Sequence, residues 1–347
     1  MWRPLSAVGC SVVLFLCAAS RGELPASEYA VVNKVSLAGE GSWDYCTVDD
    51  STGRLFVSHN MQVQVVDIAA GQQVGIIADT RGVHGIAIVR DLNKVYMSNG
   101  DDTSVTVADL RTLAFIGKIH VTGLDPDAII YDPYSQSIVT CNGKTGNASV
   151  IDTKKDSVVA TIVLGGKPEY ATSGNDGRIY VNLEDKGAVA VINMNSMKVE
   201  KKWSVAPGSS PSAMAIDTAD HRLFIGCRSK VMIVMDALNG KVIATLPIGE
   251  HVDAAAFDPV AQRVFCSNGV GTVTVIQKTG KNGFKVVENI ATQKGAKTMA
   301  LDRINHRLYL PTAEYEPLPA AAGENPKARA KIKPGSFMVL EVAPVEK

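Results

Sequence analysis

The sequence predicts an all-β fold, a seven-bladed β-propeller of four-stranded antiparallel blades whose last blade is closed by the N-terminal strand. Three observations carry that expectation. One phrase recurs seven times along the 347 residues, at a period of roughly 42. Each copy consists of short β-branched runs cut by Asp, Asn, Gly and Pro, without helical periodicity. The seventh copy lacks a fourth run, and an unclaimed run stands ahead of the first copy.

The elements follow in chain order. Residues 1–20 read as a signal peptide: Arg3 precedes the apolar run AVGCSVVLFLCAA, and Ala18 and Ser20 give an A-x-S cleavage pattern. The run is too short for a comfortable transmembrane span, so none is expected in the mature chain. The protein is therefore expected to be exported, periplasmic or secreted. Lipid anchoring at Cys17 is disfavoured, because Leu16 is bulky where a lipobox needs a small residue. Residues 21–29 form a linker, 30–343 a single propeller and 344–347 a tail.

Within the propeller the second strands stand out: RLFVSHN at 54, KVYMSNG at 94, SIVTCNG at 137, RIYVNLE at 178, RLFIGCR at 222, RVFCSNG at 263 and RLYLPTA at 307. Each follows a turn such as DPYSQ or DPVAQ, where Asp, Pro and Asn set the backbone. In the first six copies a third strand such as VTVADL or VMIVMD comes next, then a fourth such as SVVATIVL. Residues 30–37, AVVNKVSL, have the fourth-strand pattern, and copy seven reaches only its third strand, SFMVLEV at 336–342. Pairing those two runs shuts the ring and removes the free edge.

The tetrapeptides YMSN, FCSN and YVNL, with the stretch VIDTKKDSVVATIVLGGKPEYA at 150–171, resemble the YVTN-repeat (YncE-like) propellers. That resemblance covers nearly the whole mature chain. It implies the seven-bladed fold, and it names no ligand, because one propeller scaffold hosts many activities. FIGC and YLPT depart from the signature at the same place in the repeat.

Composition narrows the function. Basic and acidic side chains balance at 35 each, so no positive field draws nucleic acid or an anionic membrane, and no nucleic-acid partner is expected. Cys46, Cys141, Cys227 and Cys266 lie within repeats and are expected as buried single thiols. No C-x-x-C-H occurs, which excludes attached haem, and no Walker A, G-x-S-x-G or H-E-x-x-H motif appears. Asn147-Ala148-Ser149 matches a glycosylation sequon, a triplet that arises often by chance.

The candidate site comes from topology. The first strand of a blade lies innermost, where only small side chains such as those of DAAAF and SAMAI fit. The residues that begin the first strands therefore ring the channel mouth: Asp44, His84, Asp127, Glu169, Ser212, Asp253 and Lys297. Crowded carboxylates raise one another's pKa unless a cation joins them, and oxygen ligands with one histidine suit Ca, Mn or Zn. His84, Asp127, Glu169 and Asp253 are the metal candidates. A wet, purely structural ring is the alternative. So is catalysis: a lactonase-like hydrolase or lyase with metal on Glu169, Asp127 and Asp253 and His84 as base, His84 and Glu169 then being catalytic.

Second-strand ends face the same way. His59, Asn60, Asn99, Asn142, Asn182, Glu184 and Asn268 follow from the alignment, the Asn residues being expected as turn formers. Arg228 breaks the Asn-Gly habit and is expected either in a salt bridge to a neighbouring blade or in the ligand ring. Trp43 and Tyr45 flank Asp44. Copy seven carries a long insertion, 313–336, with Lys327, Arg329, Lys331 and Lys333, and with Glu314 and Tyr315 at its root. It reads either as a lid over the mouth or as a solvated loop. The sequence thus points to a monomeric exported propeller that binds a small molecule or an envelope protein, with a divalent ion as the one cofactor in view.

Overall fold

The computed structural model describes Met1, residues 28–316 and residues 331–345. The signal peptide, most of the linker, Lys327 and Arg329 lie outside the described residues. Seven four-stranded antiparallel sheets follow one another, and the first strands of successive blades pack side by side in an unbroken circle. Blade 5 illustrates the unit, with strands Pro211–Asp217, Arg222–Cys227, Val231–Asp236 and Val242–Pro247.

The burial of each strand follows from its place in the wedge. Arg222–Cys227 is buried throughout and Val231–Asp236 nearly so, because both faces of a middle strand meet neighbouring blades. Such strands read as unbroken apolar runs. The outer strand Lys198–Ser204 of blade 4 is exposed except at the half-buried Val199 and Trp203, the two apolar residues of KVEKKWS. Charges on that rim protect an edge with unpaired backbone groups.

Aspartates terminate the first strands of blades 1, 3, 5, 6 and 7. Asp258 Oδ1 accepts the backbone N–H groups of Val260 and Ala261 at 2.9 and 3.0 Å, and Asp302 does the same for Ile304 and Asn305. The residue just before each second strand (Gly53, Asn93, Gln136, Gly177, His221, Gln262, His306) then has a positive φ. The same aspartates tie blades together. Asp49 receives Arg90 Nε at 2.8 Å, Asp132 receives Ser173 Oγ at 2.5 Å, and His306 Nδ1 lies 2.6 Å from Asp258.

The N-terminal strand Glu28–Ser36 pairs antiparallel with Met338–Val345, from Glu28 opposite Val345 to Ser36 opposite Met338, with a register shift between Val31 and Asn33. This is the fourth strand that blade 7 lacks. It begins two residues before the expected boundary at 30, and its partner runs two past 343, because Tyr29 is anchored. Its ring meets Phe265 edge-on at 5.1 Å, beneath Arg263 at 5.5 Å.

One expectation needs correcting. Asn99, Asn142 and Asn268 are fully buried and form no left-handed turn. Their amides donate across the blade to third-strand side chains: Asn99 to Ser104 and Thr106, Asn142 to Asn147 and Ser149, Asn268 to Thr272 and Thr274. The middle of a blade is dry, so an amide there bonds to facing hydroxyls and amides. Asn60, with φ 58°, does take the turn conformation. The sequon residues Asn147 and Ser149 both belong to this network. All four cysteines are buried and free.

Candidate functional site at the channel mouth

Local backbone irregularity aims the ring. In blades 1 to 6 the register between first and second strands slips at the residue that begins the first: between Trp43 and Cys46, Val83 and Ile86, Pro126 and Ile129, Pro168 and Ala171, Pro211 and Ala213, Val252 and Ala254. Such bulges re-aim a side chain without ending the strand. Neighbouring blades then pin the backbone there. Ser98 of YMSN donates to the Asp127 carbonyl at 2.5 Å, Ser267 of FCSN to that of Lys297, and Thr298 to that of Asp44 at 2.6 Å.

The aimed side chains sort into two halves. On blades 1 to 3, His84 Nδ1 lies 2.7 Å from Asp44 Oδ2 and 3.8 Å from Asp127 Oδ1, and His84 Nε2 lies 3.9 Å from Asp125 Oδ1. Asp44, His84 and Asp127 each offer a ligand atom within 4.8 Å of the others. Asp127 Oδ1 is buried without a hydrogen-bond partner. On blades 4 to 7, Arg228 reaches Glu169 and Glu184 at 2.9 Å each and lies 3.8 Å from Asp253, while Lys297 pairs with Asp253. Lys167 joins Glu169 at 3.1 Å and Glu184 at 2.6 Å. Of the four metal candidates, His84 and Asp127 thus come together, and Glu169 and Asp253 turn to cations instead. Ser212 faces neither half: its hydroxyl donates to the Val252 carbonyl at 2.9 Å and stitches blades 5 and 6.

Tyr45 forms the floor. Its hydroxyl crosses from blade 1 to donate to the Glu169 carbonyl of blade 4 at 3.1 Å, and its ring meets Tyr170 edge-on at 5.7 Å. Beneath it a cavity of about 60 Å³ is lined by Thr47, Ile86, Ile129, Tyr170 and Met299, among others. Trp43 packs instead against Phe337. At the root of the long loop Tyr315 pairs with Ile332 and Glu314 with Lys333 at 2.8 Å.

Burial and mutual repulsion govern the protons. Burial first, then the field of Asp44, push Asp127 up to about 8, with His84 opposing. Burial works against a charged His84, but its hydrogen bond to Asp44 and the fields of Asp127, Asp44 and Asp125 outweigh it and raise His84 to about 9. A cation held there would have to displace that proton from His84, because a metal-ligating imidazole is neutral. Burial, then Glu184, raises Glu169; burial raises Asp253 against the pull of Lys297.

Sequence reasoning missed Asp125, Lys167 and the floor role of Tyr45. A signal for the first two exists: both stand two residues before a ring residue, in DPD and KPE.

Comparison with known proteins bears on the fold. No family model matches the chain. Antigen Lp49 of Leptospira interrogans is 22% identical over 220 residues, which is 59% of this chain and 48% of that protein. YncE of Salmonella typhimurium is 22% identical over 242 residues, 65% of this chain and 67% of that one. The chain is a seven-bladed propeller that is similar to YncE and Lp49. Among solved structures, the chain is similar to hydrazine synthase of Kuenenia stuttgartiensis, with a TM-score of 0.69 over 79% of this chain and 94% of that one at 17% identity. U3-55K superposes with a TM-score of 0.75 at 10% identity, covering 92% of this chain and all of that one. At such identities the likeness speaks for architecture alone, and the match spans about half the length of Lp49. Among the described residues no helix is long and apolar enough to cross a membrane.

Proposed function

We propose that this propeller is an exported binding protein whose channel mouth takes up a small ligand, anchored by a divalent cation on Asp44, His84 and Asp127. The observation that carries the reading is Asp127 Oδ1, buried and unpartnered beside His84 and Asp44. A buried carboxylate oxygen without a donor is costly, and a cation would satisfy it. Each of the three groups offers a ligand atom within 4.8 Å of the others, a separation that one ion with bonds of about 2 to 2.5 Å can span. Two carboxylates and one imidazole suit Mn²⁺ or Zn²⁺. The apolar leader with its A-x-S pattern supports export.

Titration calorimetry with Mn²⁺ tests the ion. One ion per chain is expected, with affinity at least about tenfold weaker in Asp127→Asn and in His84→Ala. Asp253→Asn, which alters the opposite half, is expected to bind nearly as native. No uptake of Mn²⁺ or Zn²⁺ by the native protein would end the reading, as would equal affinity in all variants.

A further inference from the structure

The half of the mouth built by blades 4 to 7 is unlike the half that gathers His84. Its carboxylates are sunk and its cations stand above them. Glu169, Glu184 and Asp253 are 12, 15 and 15% exposed, whereas Lys167, Arg228 and Lys297 are 48, 46 and 43% exposed. Three charges of each sign cancel, so an incoming anion meets no net repulsion there.

Donors remain. A guanidinium carries five N–H groups and an ammonium three. Arg228 spends Nη2 on Glu169 and Nη1 on Glu184, and Lys297 reaches Asp253. The Arg228 side chain as a whole is 46% exposed. Its position is itself a departure: at this corner blades 2, 3 and 6 carry Asn-Gly, whereas blade 5 has buried Cys227 in place of the Asn and Arg228 in place of the Gly. Blade 5 puts an exposed, multidentate cation at the rim instead.

Depth is limited as well. Tyr45 crosses the channel under the ring, and burial first, then Asp127, Asp44, Asp253 and Glu169, raise its hydroxyl well above its ordinary range.

We propose that the ligand is a small di- or hydroxycarboxylate, one carboxylate on the cation and the other on the open donors of Arg228 and Lys297. The inference rests on the cation reading above and names what accompanies the ion. Planar forked donors match a carboxylate in geometry as well as charge.

Malonate serves as the probe, with Mn²⁺ as the ion. Calorimetry at matched free Mn²⁺ is expected to show Mn²⁺ binding tightened about tenfold by saturating malonate, and malonate tightened equally by Mn²⁺, since coupling is reciprocal. In Arg228→Gln and in Lys297→Met, Mn²⁺ alone is expected to bind as in the native protein while the malonate enhancement falls to about twofold or less. Circular dichroism melts establish that both variants are folded. If Mn²⁺ binds but malonate changes nothing, or enhances both variants as it does the native chain, the carboxylate proposal is overturned and the cation reading stands. If Mn²⁺ does not bind at all, both fall.

Discussion

His59 shows how far a single buried ring can be argued. Gln64 Nε2 donates to the Ala38 carbonyl at 2.7 Å and to Gln73 at 3.0 Å, which leaves Gln64 Oε1 as acceptor for His59 Nδ1 at 3.0 Å. His59 Nε2 is then a bare lone pair, buried and unpartnered, on a ring tilted 31° to Phe337 with centroids 4.0 Å apart. Burial, opposed by the Gln64 bond and the Glu40 field, holds its pKa below the ordinary 6.5. The unfolded chain therefore takes up this proton at a higher pH than the folded one. Stability from this group is whole above about 6.5 and is lost as pH falls through the depressed value. Urea melts between pH 7.5 and 5 should show a steeper loss for the native chain than for His59→Gln. Gly100 offers a second test. A Cβ there would lie 2.7 Å from both His84 Nε2 and Asp125 Oδ1, so Gly100→Ala is expected to displace the imidazole. Mn²⁺ affinity should drop at least about tenfold with little change in melting temperature.

At the scale of strands, the notable device is the serine one residue before the end of a second strand. Ser98 and Ser267 leave their own blade to hold the backbone under the next ring residue, so the SN of YMSN and FCSN joins two blades. Each such bond contributes on the order of 1 kcal/mol, more where its loss strands a buried carbonyl. Ser267→Ala should lower stability by about 1–2 kcal/mol in urea melts, and Ser98→Ala by a similar amount. The strands themselves were legible because turn chemistry and apolar runs are local. The bulges were not, since six one-residue slips leave the apolar pattern of DAAAF or SAMAI intact. Asn99 and Asn268 misled for a related reason: Asn-Gly signals a turn, yet here the glycine turns and the asparagine faces hydroxyls inside the sheet.

For the whole molecule, closure decides. The missing fourth strand of copy seven and the spare run before copy one were visible as a deficit and a surplus, and Glu28–Ser36 fills the gap. Deleting residues 28–36 should uncover Leu340, Val342 and Phe265, and should either aggregate the chain or lower its melting temperature by well over 10 °C. Convergence of Asp44, His84 and Asp127 followed from the same closure. How the ring divides did not: whether a carboxylate meets an imidazole, a guanidinium or nothing depends on side-chain reach across blades, as with Arg228 leaning to Glu169 over 59 positions.

Anomalous scattering from a crystal equilibrated with Mn²⁺ reads the mouth directly. A single strong peak is expected about 2 to 2.5 Å from a carboxylate oxygen of Asp44, one of Asp127 and a ring nitrogen of His84. No peak at the mouth, or one seated on Glu169 and Asp253 with Arg228 and Lys297 driven aside, would contradict the division of the ring into a cation half and an anion half.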